Sequence, residues 1–151
     1  MDAKAFFLTH WEKEAPATRK VISRIPENAE YRPDPKARTA REIAWLIVFE
    51  ESAVADGLER GVFEWKDVPA PKTMKEIVAQ YDRAHDAISK RLQSIPPACW
   101  EEKLPFLYNG QEMMRETGYE MAWGSRPDSP SWSAVNLSAS DGRKGSGHLR
   151  P

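Results

Sequence analysis

The stretch "KTMKEIVAQYDRAHDAISKRLQSI" constrains the fold most. Ile77, Tyr81, Ala84, Ile88 and Leu92 recur every three or four positions, a spacing that lines apolar side chains along one face of an α-helix. Thr73 followed by Glu76 predicts a capping box at its start, in which the threonine hydroxyl accepts from the Glu76 amide. A helix of this kind buries its stripe only against other elements. The rest of the chain therefore has to supply matching apolar faces.

Two other segments do so. Residues 3–25 carry Phe7, Trp11, Val21, Ile22 and Ile25 near helical spacing, with Pro16 expected to interrupt or kink the helix. Residues 39–60 place Ile43, Ile47, Val54 and Leu58 on one stripe, widened by Ala44, Leu46 and Val48, and Gly61 stands where a helix C-terminus wants glycine. The proline-rich stretches "PENAEYRPDPKA", "VFEWKDVPAPK" and "PPACWEEKLPFLYNG" read as connections, with Asn109-Gly110 favouring a turn. "QEMMRETGYEMAWG" reads as the start of a fourth apolar helix, and no strand alternation or internal repeat stands out. The expected fold is all-α, an up-down four-helix bundle over residues 1–124. Its fourth helix is truncated or replaced by a disordered tail over residues 125–151, which lose apolar periodicity and gain Pro127, Pro130 and a run of Gly and Ser. That loss would leave the inner faces of the other helices partly uncovered, a surface that favours association.

Composition removes several function classes. Lys+Arg 22 against Asp+Glu 23 leaves a net charge of −1, so no basic field points to nucleic acid. No apolar run approaches membrane-spanning length, and the N-terminus, with Asp2 and charges directly after its apolar patch, does not read as a signal peptide. With the single Cys99 ruling out an internal disulfide, the expected location is cytoplasmic.

Chemistry is sparse. The histidines are His10, expected at the surface or at a helix flank; His85, between Asp82 and Asp86 and expected on a solvated helix face; and His148 in the tail. None forms an H-x-x-x-H or H-E-x-x-H pair, Cys99 has no neighbouring base, and the glycine clusters match no phosphate loop. Trp11, Trp45, Trp100 and Trp123 read as core. Glu50 borders the buried stripe, three residues after Ile47 and four before Val54. A carboxylate there is either paired with a lysine or arginine or is a metal ligand.

The order "FLTHWEKEAPATRKVISRIPENAEYRP", "TAREIAWLIVFEE", "GLERGVFEW…PAPKTMKEIVAQYDRAHDAI" and "GYEMAWG" resembles the DinB/YfiT-like superfamily over roughly residues 5–124. The resemblance implies a four-helix bundle, often a homodimer, and a metal-dependent enzyme acting on a small molecule as a transferase or hydrolase. It also implies a divalent metal (Zn, Ni, Fe or Mn) held by one histidine on the second helix and one or two on the last, within a His-Arg-Gly-Gln-like signature. Here the second-helix position falls on Leu46, leaving Glu50, one turn on, as the substitute metal residue, and "EMAWG" runs into "SRPDSPSWSAVN" instead of the signature.

Read one base later, with suitable codons, Ser129 to Asn136 gives His-His-Arg-Gly-Gln-Leu-Ser, and Ser140 to Pro151 gives Pro-Met-Gly-Gly-Lys-Val-Pro-Gly-Ile-Tyr-Gly. Both strings resemble the family's ending, in order and in one offset. The expectation is a one-base slip near Gly124, in the gene or in its sequencing. The chain as written is then metal-poor or metal-free and weak or inactive; alternatively it is a non-catalytic bundle that works by homodimerisation or partner binding.

Overall fold

The computed structural model describes residues 2–32 and 34–124. His148, the expected disordered tail and the frame-shifted signature lie outside them. Three helices of equal length form the body: α1 (Ala3–Ser23), α2 (Ala40–Arg60) and α3 (Met74–Ser94). Between and after them come β1 (Phe63–Trp65), a short α4 (Pro97–Glu101), β2 (Lys103–Tyr108), β3 (Gln111–Thr117) and α5 (Gly118–Gly124).

Each long helix starts on a side chain that satisfies an orphan amide. Asp2 accepts from the Ala5 amide, Thr39 from Glu42 and Thr73 from Glu76. Glu27, in the loop after α1, adds a second cap to α3: its two carboxylate oxygens accept from the amides of Met74 and Lys75, each at 2.8 Å. Gly61 ends α2 in the left-handed conformation, φ 73°, as the sequence predicts. Pro16 does not end α1, which runs through it to Ser23. The cost is one lost amide donor, since proline has none to offer the preceding turn.

The core has two clusters. Ile22, Ala44, Val48, Met74, Ile77 and Tyr81 fill one end of the three-helix body. At the other end Phe7, Val54, Leu58, Ile88, Leu92 and Trp100 pack with Phe63, Leu104, Met121 and Ala122. The α3 stripe is buried as its spacing predicts, with Ala84 at its edge. On α2 the buried face is rotated from the expected one. Ile43 is exposed, whereas Ala55 and Glu50 are buried. Val21 on α1, expected in the stripe, is 61% exposed. Trp100 is fully buried, while Trp11, Trp45 and Trp123 are only partly so.

The all-α, up-down four-helix bundle is overturned. The described residues form five helices and a three-stranded mixed sheet in the order β1-β2-β3. The β1 and β2 strands are parallel and β2 and β3 antiparallel. The segment read as the start of a fourth helix is β3 up to Thr117, and only the seven residues of α5 are helical. The turn residues explain the hairpin: Asn109 (φ 50°) and Gly110 (φ 79°) both occupy the left-handed region, as a two-residue turn matched to the twist of its strands requires.

Pro105 is tolerated within the middle strand because β1 pairs only with Phe106 to Tyr108. Alternation is hidden because β3 is an edge strand with mostly exposed residues, and the pairing slips between Phe106 and Leu107. The sheet docks on α2 through Phe63, whose ring lies over Gly57. A methyl group at Gly57 would sit 2.5 Å from Phe63 Cδ1, so only glycine admits this approach. Among the described residues no helix is long and apolar enough to cross a membrane.

Candidate functional site

A cavity of about 400 Å³ opens between α1 and α2, with Ala122 of α5 at its border. Its apolar wall comes from Phe7, Trp11, Val21, Ile22, Ile47 and Val54, and its acidic groups are Glu14, Glu50 and Glu51. The neighbouring carboxylates Glu50 and Glu51 both reach it from α2. Ile47 and Val54, one turn to either side, set that face of the helix towards α1.

Behind Glu51 lies the best-defined polar arrangement of the described residues. Glu51 Oε2 is 3.2 Å from His85 Nδ1 on α3, and each side chain is only 12% exposed. The imidazole stacks with the Trp11 indole (centroids 5.5 Å apart, planes at 12°) and with the Tyr81 ring (5.1 Å, 21°). These aromatic neighbours are themselves fixed: Trp11 Nε1 donates to Ser89 Oγ at 2.9 Å, and the Tyr81 hydroxyl donates to the Ala15 carbonyl at 3.2 Å. His85 Nε2 is buried, and among the described residues it has no hydrogen-bond partner.

The electrostatics of the pair follow from this geometry. The Glu51 hydrogen bond raises His85 above the ordinary histidine value. Burial opposes that rise, and the charges of Glu51, Glu12 and Asp86 support it. Desolvation raises Glu51 in turn, against the lowering effect of His85. Both directions favour a retained proton, and we place it on His85, the more basic group, with Glu51 as its counter-ion. Burial and the charges of Glu51, Asp82 and Glu12 raise the Tyr81 hydroxyl, so it stays a neutral donor.

Glu50 is buried, 8% exposed, and borders the cavity. Leu46 lines a different cavity, of about 350 Å³, with Trp45, Phe49 and Trp65, so it and Glu50 do not face one space. His10 is part-exposed near the N-terminus, its Nδ1 3.1 Å from the Phe6 carbonyl and its ring beside Phe6 and Trp123. His85 corrects the expectation of a solvated face: it follows Tyr81 by four and precedes Ile88 by three, inside the stripe, and that spacing was the available signal. Glu51, like Glu50, borders the stripe, and only the three-dimensional pairing distinguishes their roles.

Fold and groove together define the class: a small helical domain with a mixed three-stranded sheet, carrying an acidic cavity backed by a part-buried Glu–His pair. Comparison with family models, with curated proteins and with solved structures finds no match for this chain.

Proposed function

We propose that this chain is a DinB-like protein whose α1–α2 groove is a small-molecule site, and whose metal-dependent transferase or hydrolase chemistry is weak or lost as the chain is written. The observation that carries the reading is the donor set. Among the described residues no three His, Cys, Asp or Glu side chains group to hold a metal ion, and Leu46 stands at the resemblance's second-helix ligand position. Glu50 supplies one carboxylate, and a firmly held divalent ion usually needs about three or more protein ligands. The described residues therefore do not fit the family's metal, and no reaction step is assigned to it. The Glu51–His85 pair can hold and transfer a proton at the groove without one. Metal analysis of the chain purified without a histidine tag should give far less than one zinc, nickel, iron or manganese per chain. A stoichiometric ion would overturn the reading.

A second reading, association as a homodimer, is supported by the exposure of Phe6 (43%), Val21 (61%) and Ile43 (41%) on α1 and α2. Sedimentation equilibrium tests it, and a monomer at all concentrations would sink it. Either reading is compatible with a cytoplasmic protein, as the single Cys99 suggests.

A further inference from the structure

We infer that the α1–α2 groove binds a single unbranched hydrocarbon chain with an uncharged polar head, a long-chain alcohol or its like, in preference to a compact molecule of the same carbon number. The inference rests on the groove being the small-molecule site proposed above and adds the shape and chemical class of its ligand.

The packing of the helices makes the groove long. The helices α1 and α2 each pack along α3 but scarcely meet each other, which leaves a trough between them. Phe7 and Ile22 both line the cavity, and at about 1.5 Å per residue they lie about 22 Å apart along α1. Trp11, Ala15, Thr18 and Val21 occupy the turns between, at the three- and four-residue spacing of one helix face. The cavity holds about 400 Å³, and a round cavity of that volume would span less than half this length. The space is therefore elongated and narrow.

Its wall is mostly hydrocarbon, with Phe7, Trp11, Val21 and Ile22 from α1 facing Ile47 and Val54 from α2. Of the three carboxylates on it, Glu51 is bound to His85, Glu50 is not without a partner, and Glu14 is exposed and keeps its hydration. Selection therefore rests on the burial of hydrocarbon and not on charge. Val21 is 61% exposed, so the trough meets water with apolar surface that an inserted chain would cover. An extended chain lies along such a trough and touches both walls. A compact body of equal carbon number enters only in part and leaves its methylenes in water.

Equilibrium dialysis of the full chain against 1-hexanol, 1-octanol and 1-decanol, each below its solubility limit, tests the inference. One molecule should bind per chain, and affinity should rise about three- to fourfold with each added methylene. Cyclodecanol, which closes ten carbons into a ring, should bind at least about tenfold more weakly than 1-decanol. Val21→Asp should weaken 1-decanol several-fold, and the exposure of Val21 lets this variant keep the fold. Met113→Asp, an equally exposed site on β3 and far from the groove in the chain, should leave binding unchanged. Affinity that does not depend on chain length, or that is equal for 1-decanol and cyclodecanol, would overturn the chain inference and leave the groove as a small-molecule site. Binding of none of the four probes would overturn the groove reading itself.

Discussion

At the scale of single residues, the Glu51–His85 pair makes the chain's stability respond to pH in a defined direction. The folded state raises His85 above its usual 6.5, through the Glu51 hydrogen bond first, and raises Glu51 through desolvation. A group whose folded pKa is raised stabilises the fold below its unfolded pKa and loses that contribution as pH climbs through the folded value. Both members of the pair act in the same sense. The groups facing His85 are Glu12 and Trp11 from α1 and Glu51 from α2, with Tyr81 and Asp86 on its own helix. None of these brings a positive charge that would reverse the sign. Urea denaturation should therefore show stability falling as pH rises from about 6 to about 8. Glu51→Gln removes the partner that raises His85 and leaves its burial in place, so the same series should be flat or should rise with pH. A wild-type curve that is flat across this window would contradict the pairing. Gly57 makes a separate residue-scale case: Gly57→Ala pushes a methyl group into the Phe63 ring and should cost about 1–3 kcal/mol, partly recovered by Phe63→Leu.

At the scale of elements, the caps and the hairpin decide where helix gives way to strand. Glu27 reaches from the loop after α1 to two amides at the start of α3, a contact across 47 and 48 positions of chain. Glu27→Ala should lower stability by about 1 kcal/mol in denaturant, and Glu27→Gln, which keeps an acceptor but loses the charge at the positive helix end, by less. Equal losses in the two variants would show that the acceptor contributes nothing. Gly110, at φ 79°, belongs to the hairpin turn, and Gly110→Ala should cost about 1–2 kcal/mol because a Cβ there meets the carbonyl oxygen of its own backbone.

The same elements show how far the sequence could be read. The three long helices were legible because Thr39, Thr73 and Gly61 mark their ends and the α3 stripe repeats without interruption. The strands were not. Phe63–Trp65 is too short to alternate, Pro105 argues against a strand unless the limited reach of β1 is known, and β3 shows mostly polar side chains to solvent. Asn109-Gly110 signals a turn on its own, but its meaning as a hairpin depends on an alternation that the slipped pairing at Phe106 and Leu107 blurs. Of the site, the spacing to Ile47 and Val54 sets Glu50 near the buried stripe. Glu51 and His85 were not paired because their contact spans 34 positions and depends on how α2 and α3 are rotated against each other.

At the scale of the whole molecule, the groove and the segment after Gly124 bear on one question: whether the metal chemistry of the proposed reading can be housed here. Met121 and Ala122 of α5 are buried in the core, and Ala122 borders the cavity that Glu50 and Glu51 of α2 also line. A segment carrying histidines would follow from that point of the chain, and with the codons chosen above the reading one base later gives His-His-Arg-Gly-Gln from Ser129 onward. A divalent ion would then find imidazoles from the restored segment and a carboxylate from α2, a donor set that suits zinc, nickel, iron or manganese. Two chains should therefore be compared, one as written and one with the sequence after Gly124 replaced by the shifted reading. The restored chain should retain about one metal per molecule through dialysis, and Glu50→Ala in it should weaken that retention, because a carboxylate among few ligands contributes directly to the holding energy. Sequencing the genomic DNA over Ser129 to Asn136 supplies a separate check, since codons that do not encode the signature at that offset remove the basis for restoration. If the restored chain dimerises and holds no metal, the protein works by association, and the acidic groove serves a ligand without metal chemistry.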